Sequence, residues 1–397
     1  MNRDPGPELR RRDVLLAALS LLAGCGGGVD SGGTGTGVAS TYSYGPIVGF
    51  GSIIVNGVHY DDSAAAIAGD DGTPLGRSEL RLGMQTEVLA SAVTVSAGVS
   101  SATASTIQLR SEIVGPVQAI DATNQRLTVL GQSVQVQPGT VFDASLANGY
   151  ASLAVGAPVE VYANFDVATG RFVATRIEPR SAPAAYKLRG LVGALSLDAQ
   201  TITIGALTIS WSAVAPADPV TALAPGSAVR VVLATTPVAG IWTATALAPG
   251  RPALADRERA ELEGHVSAFT STSSFAVNGV PVDATAASFP NGSAGLTLGA
   301  RVSVKGSLRS GTLVATSVAV EDGSEGEQDY ELHGSIDALD ATAQSFVVRG
   351  VTVVWSATTV FEGGTAASLA VGANVEVKGP LSPDGTRVDA VSVQIDN

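Results

Sequence analysis

Imidazole is scarce in this chain. His59, His265 and His333 are its only histidines, and no two stand four residues apart. Two histidines at that spacing share a helix face and can grip one zinc ion, and a His-Glu-x-x-His run adds a general base. Neither pattern occurs. His265 and His333 each flank a glycine that opens a β segment, which reads as a strand-start position with a structural task. Serines are plentiful, but there is no Gly-x-Ser-x-Gly elbow, the strained turn that exposes a nucleophile. The run Glu321 to Asp329 holds five carboxylates among glycines. Hard oxygen ligands of that kind suit calcium, but the spacing is not that of the twelve-residue calcium loop. The run reads as a solvated, self-repelling linker. Asp70-Asp71-Gly72 is read as a turn first and a ligand pair second. Trp211 and Trp355 fall just after a hairpin strand, where core packing is the expected role and a ligand platform the alternative. The sequence therefore points to no catalytic residue, no metal ligand and no cofactor.

Cys25 is the only cysteine, so neither a disulfide nor a thiolate zinc cluster can form within the chain. Arg10, Arg11 and Arg12 precede an apolar run from Val14 to Gly24. That run is too short to cross a hydrocarbon core of ~30 Å as a permanent span. It ends in Leu22-Ala23-Gly24-Cys25, which resembles the lipobox of bacterial lipoproteins. The resemblance implies that the Cys25 thiol receives a diacylglycerol, that the chain is cut between Gly24 and Cys25, and that the freed amino group is acylated. Residues 1–24 are then a signal peptide. Arg11-Arg12-Asp13-Val14-Leu15 looks like a twin-arginine export signal, with Val14 in place of the usual Phe and no Lys after it, so general secretion stays open as the route. Gly26 follows the cysteine, where an Asp would resemble an inner-membrane retention signal. The expected address is the outer membrane, lipid-anchored through Cys25, with the body periplasmic or surface-exposed. Residues 25–44, rich in Gly, Ser and Thr, read as the lipidated cysteine and a flexible tether with an r.m.s. span of roughly 25 Å.

Behind the tether one pattern returns five times. The copies open at Gly45, Gly115, Gly190, Gly264 and Gly334, at intervals of 70, 75, 74 and 70 residues. Each later carries a Leu-x-x-Gly signature: Leu80 to Gly83, Leu153 to Gly156, Leu223 to Gly226, Leu296 to Gly299 and Leu369 to Gly372. The expected β-repeats span 45–111, 115–178, 190–248, 264–320 and 334–397. Copy four is the plainest. Phe275-Ala276-Val277 and Val280-Pro281-Val282 flank Asn278-Gly279, a pair suited to a hairpin apex with φ > 0, and Asn56-Gly57 and Arg349-Gly350 hold the same place elsewhere. Further turns are expected at Thr169-Gly170, Ala239-Gly240, Ser310-Gly311 and Asp384-Gly385. The order is strand, strand, strand, short helical insert, strand, strand. So small a unit buries too little surface as an open sheet. Closure removes the edges. The expected fold class is all-β: five tandem small β-barrels, OB-like, each of five strands plus a short helical insert, after the signal peptide and tether. Short joints between copies suggest beads laid end to end, reaching on the order of 140 Å.

The repeats resemble a bacterial envelope family known as domain of unknown function 5666. Thr140-Val141-Phe142, Thr359-Val360-Phe361, Ala174-Thr175-Arg176-Ile177 and Ala315-Thr316-Ser317-Val318 carry the resemblance, together with the glycines and Leu-x-x-Gly runs above. It covers Gly45 to Asn397, and copies one and three depart from it in the middle. These are packing and turn residues, so the resemblance implies a fold and no activity.

Composition narrows the rest. Charged residues are 15% of the chain, hydrophobic ones 45%, and the net charge is -13. The apolar fraction excludes a disordered acidic protein. The sign of the charge, with Lys187, Lys305 and Lys378 as the only lysines, argues against nucleic acid as a partner. A duplicated catalytic domain should repeat polar residues, whereas Gly, Val, Leu, Ala and Thr recur here. The expectation is a non-enzymatic envelope lipoprotein, a string of β-modules acting as scaffold, spacer or adhesive surface. The alternative is a periplasmic or surface module that binds a glycan, a peptide or a partner protein of the envelope.

Overall fold

Alternation at period two places Val302, Val304 and Leu308 of Arg301–Arg309, and Leu313, Ala315 and Val318 of Thr312–Val320, on one buried face. Ser310 (φ 49°) and Gly311 (φ 77°) join these two strands. Two consecutive positive φ values are those of a type I′ turn, whose twist matches the strands beside it. The computed structural model describes residues 40–214, 223–251, 254–321 and 329–396, and the elements below are drawn from them.

In the fourth segment the strands form a circuit. Arg257–Ser271 pairs with Ser274–Val277, which pairs with Val280–Asp283. That strand runs parallel to Thr312–Val320, whose other edge holds Arg301–Arg309, and Arg301–Arg309 returns to Arg257–Ser271. The result is a small closed barrel of five strands. Ile113–Asp121, Arg126–Val129, Gln132–Gln135, Pro158–Asp166 and Arg171–Pro179 close in the same order. The strands from Asp329 to Asp396 do so as well, with the last one broken into Arg387–Asp389 and Ser392–Asp396. In all three barrels the ladder between the first two strands shifts register two to four residues after the opening glycine, at Val117/Ala119, Val266/Ala268 and Ile336/Ala338. A bulge there bends the first strand enough to serve two neighbours.

The recurrent glycines have two physical causes. The signature glycines Gly83, Gly156, Gly226, Gly299 and Gly372 all have φ between 78° and 88°. The residue after each donates its N–H to the carbonyl three residues back, for instance Ala157 to Ala154 at 3.1 Å. That is a type II turn, whose third position demands positive φ. Four of these glycines also donate to the first strand of their own segment, as Gly156 does to Val117 O at 2.7 Å, and Gly83 donates to Ile47 O just past Thr41–Pro46. The turn thereby sets the register that closes the barrel. The opening glycines make room for the hairpin apex: a Cβ on Gly264 would lie 2.0 Å from Asn278 Nδ2, and one on Gly115 2.3 Å from Leu130 Cγ. The expected apices hold, with φ of 76° at Gly57, 80° at Gly279 and 74° at Gly350.

Three expectations are corrected. The helical insert is at most one 3-10 turn, at Arg77–Glu79, Gly149–Ser152 and Ala366–Ser368, and the described residues contain no α-helix. Runs this short cannot repay the cost of nucleating one. The tether does not reach residue 44, because Thr41–Pro46 is a buried strand. Thr41, Tyr42 and Tyr44 are β-formers, and the strand has a neighbour on each edge: Gln85–Ala90, and Arg257–Ser271 in parallel.

The third correction concerns the beads. Strands cross from one segment to another: Thr41–Tyr44 pair with Arg259–Leu262, Gly49–Phe50 with Glu331–Leu332, and Ile113–Val114 with Lys187–Leu188. The buried side chains gather into three cores. One joins the first and fifth segments, one the second and third, and one fills the fourth with Tyr42 and Tyr44 added from the first. The short joints expected between copies are partly strand: Tyr186–Ser196 begins before Gly190 and Arg257–Ser271 before Gly264. Residues 37–397 form one compact unit. Modules that share cores and ladders cannot lie end to end.

Candidate binding cleft

Charged side chains are few here, and several of the buried ones sit where segments meet. Asp70, in the loop after Ala66–Ala68, accepts from Lys187 Nζ at 3.0 Å and from Arg189 Nη2 at 2.9 Å, both on Tyr186–Ser196. Burial pushes the Asp70 carboxyl up, but the two cations outweigh it and hold it below the usual carboxylate range. Arg176 is buried and donates to Glu178 Oε1 at 2.6 Å, to Asp143 Oδ2 at 3.1 Å and, across to the first segment, to Leu82 O at 3.2 Å. Glu160 is held by Arg180 Nε at 2.6 Å and by the hydroxyl of Ser111, which also binds Lys187.

Beside this network the first four segments leave a cleft of about 370 Å³. Tyr44 enters it from the first strand, Glu112 from the three-residue step between Val99–Leu109 and Ile113–Asp121, Phe165 from Pro158–Asp166, and Asn278 from a hairpin apex. Arg251, just past Trp242–Pro249, lies 4.7 Å from the Tyr44 ring centroid and donates from Nη1 to Asn278 O at 3.1 Å. Phe165 packs on Phe172 with ring centroids 4.8 Å apart. Burial pushes the Glu112 carboxyl up, and Arg189, Arg251 and Lys187 offset this only in part. Burial likewise pushes the Tyr44 phenol up to about 12. A guanidinium, a carboxyl and an aromatic wall in one cleft suit a ligand with polar groups on an apolar body.

The residues singled out from sequence are scattered. His59 is half-buried on Val58–Asp61. His265 is buried in the fourth barrel, and burial pushes its imidazole down. His333 is half-exposed on Asp329–Asp340, with its Nε2 2.8 Å from Glu376 Oε2 on the neighbouring strand Asn374–Pro380. Glu331 stands two residues before it, and Lys378 Nζ lies 2.9 Å from Glu376 Oε1. Trp211 and Trp355 pack into cores. Asp70-Asp71-Gly72 is a turn as expected, with Gly72 N–H donating to Gly69 O at 3.0 Å and φ of 83° at Gly72, and Asp70 adds the inter-segment ion pairs above. Cys25, Gly24, Arg11 and Arg12 lie outside the described residues, as do 322–328 of the acidic run. Sequence reading missed the cleft and the joints. Their one visible signal was the rarity of charge, which makes each Lys or Arg inside a segment worth placing.

Comparison with known families bears on the segments that build this cleft. The model of one family, described as Domain of unknown function (DUF5666), matches residues 114–178, 263–319 and 333–394. These three segments are DUF5666 domains. A comparison with curated proteins found no match. Phe165 and Asn278 bring two of the DUF5666 domains to the lining of the cleft, and Tyr44 comes from outside all three. Glu376 and His333 lie in the last DUF5666 domain, with Glu331 just before it.

Proposed function

We propose that this chain is a non-enzymatic envelope lipoprotein in which five OB-like barrels are fused into one scaffold body held to the outer membrane by acyl chains on Cys25. The observation that carries the scaffold reading is the sharing of ladders and cores between segments. The barrel strand order, first-second-third-fifth-fourth, is that of an OB-fold. The ladders in 41–109 and 186–249 follow it too, which supports a count of five. The residues that recur are turn and packing residues, and largely buried charges such as Asp70, Lys187 and Arg176 join segments together. A compact body favours scaffold or adhesive surface over long-range spacer. Two acyl chains give stable attachment where one is marginal. Fractionation tests the anchor: native protein should partition with outer-membrane lipid, and the Cys25→Ser variant should be uncut or soluble. A processed, membrane-bound Cys25→Ser protein would refute it.

A second reading is favoured by the cleft itself. Arg251, Glu112 and the Phe165 wall fit recognition of a glycan or a peptide from the envelope. Screening oligosaccharides and short peptides against the wild type and Arg251→Ala tests this, with loss of binding in the variant expected. Binding that ignores Arg251 would place the ligand elsewhere.

A further inference from the structure

Three partly exposed side chains of the last barrel lie outside the cleft, beside the ladder that joins this barrel to the first segment. Asp329–Asp340 and Asn374–Pro380 are antiparallel, and His333 stands directly opposite Glu376 while Glu331 stands directly opposite Lys378. Residues two apart on a strand share a face, so all four side chains project to the same side. His333 Nε2 lies 2.8 Å from Glu376 Oε2 and 3.7 Å from Glu331 Oε1. One ligand atom from each of Glu331, His333 and Glu376 can be chosen so that all lie within 4.8 Å of one another. Zinc binds nitrogen and oxygen at about 2.0–2.2 Å in a tetrahedron, which puts ligand atoms about 3.3 Å apart. The two measured edges bracket that spacing.

We propose that Glu331, His333 and Glu376 form a zinc site, with Lys378 as its competing internal cation. Lys378 Nζ stands 2.9 Å from Glu376 Oε1 and 3.5 Å from Glu331 Oε2, between the carboxylates a metal would use. Its flexible stem and strongly hydrated head let it swing into water when a divalent ion takes its place. Strand backbone fixes the ligands from below. On the other flank of Asp329–Asp340 runs the Gly49–Phe50 strand, and a Cβ on Gly51 would lie 2.6 Å from the Cβ of His333. Glycine at position 51 thus leaves the histidine its place. One imidazole and two carboxylates leave a fourth position open to water. The imidazole selects zinc over magnesium and calcium, which prefer oxygen alone.

Titration of metal-stripped full chain carrying Cys25→Ser, so that no thiol competes, with zinc chloride in a calorimeter should give one saturable site. His333→Ala should weaken it by at least about tenfold, and Glu376→Gln by a similar factor. Lys378→Met should tighten it by roughly fivefold, because the cation that holds the carboxylates is gone. These side chains are partly exposed, so each variant's metal-free unfolding transition should match the parent and show that it is folded. No saturable zinc binding would overturn the proposal. So would zinc binding indifferent to His333, binding weakened by Lys378→Met, or calcium binding in place of zinc.

Discussion

At the scale of single residues, Asp70 and Glu112 are neighbouring carboxyls with opposite pH behaviour. The folded value of Asp70 lies below the unfolded value of about 3.9. Its stabilisation is present above that pH and is lost as pH falls through the folded value. Glu112 lies above the unfolded value of about 4.3, so its contribution is full below that pH and is lost as pH rises through the folded value. Asp70→Asn should therefore lower the urea midpoint at pH 7, by a margin that shrinks toward pH 3. Glu112→Gln should raise the midpoint at pH 7 and leave it nearly unchanged at pH 4. A Glu112→Gln protein less stable than wild type at pH 7 would contradict the environment assigned to that carboxyl. The signature glycines offer a paired test. A Cβ on Gly156 would meet nothing within 4 Å, whereas one on Gly83 would lie 2.4 Å from Thr175 O in the next segment. Both have the same sign of φ, so Gly156→Ala should cost about 1 kcal/mol and Gly83→Ala clearly more. Equal costs in chemical denaturation would mean that the contact between segments carries no weight.

At the scale of strands and turns, the sequence announced what is local. Asn278-Gly279 declares a hairpin because its backbone needs two positive φ values, and the five Leu-x-x-Gly runs declare a repeat that the structure resolves into type II turns with one positive φ each. The closing of the barrels was legible from alternation and from the order of the strands. The joints were not, because their partners are far apart along the chain: Asp70 and Lys187 are separated by 117 residues. No periodicity links such positions. The same blindness hides Tyr42 and Tyr44, because the Ser and Thr beside them also suit a tether. Their burial in the core of the fourth barrel predicts that segments do not unfold alone. Excising residues 257–321 should expose one edge of Thr41–Pro46 and speed amide exchange in that strand. Unchanged protection there would restore the independent-module view. Removing the guanidinium of Arg176 strands two carboxylates and a carbonyl at another joint, so Arg176→Ala should cost about 3–5 kcal/mol.

For the molecule as a whole, the decisive quantity is size in solution. A compact body spanning residues 37–397 should have a radius of gyration of roughly 21 Å. Barrels laid end to end over about 140 Å would give roughly 40 Å, so small-angle scattering separates the two without ambiguity. A value near the larger figure would show that the cross-segment ladders open in solution. Contacts that link the first strand to residues more than 200 positions later also imply slow folding, because long loops must close before they are rewarded.

The first strand has a mechanical consequence. Thr41–Pro46 is gripped on both edges, by Gln85–Ala90 and by Arg257–Ser271. A pull arriving from upstream acts along this strand's own axis, where the bonds on both edges must shear together and cannot be unzipped in turn. The opposite end is weaker: Ser392–Asp396 has one long neighbour, Asn374–Pro380, and one of only three residues, Val360–Glu362. Under tension between its two ends the body would yield at the last strand first, and the end that meets the N-terminal segment would be the last to let go.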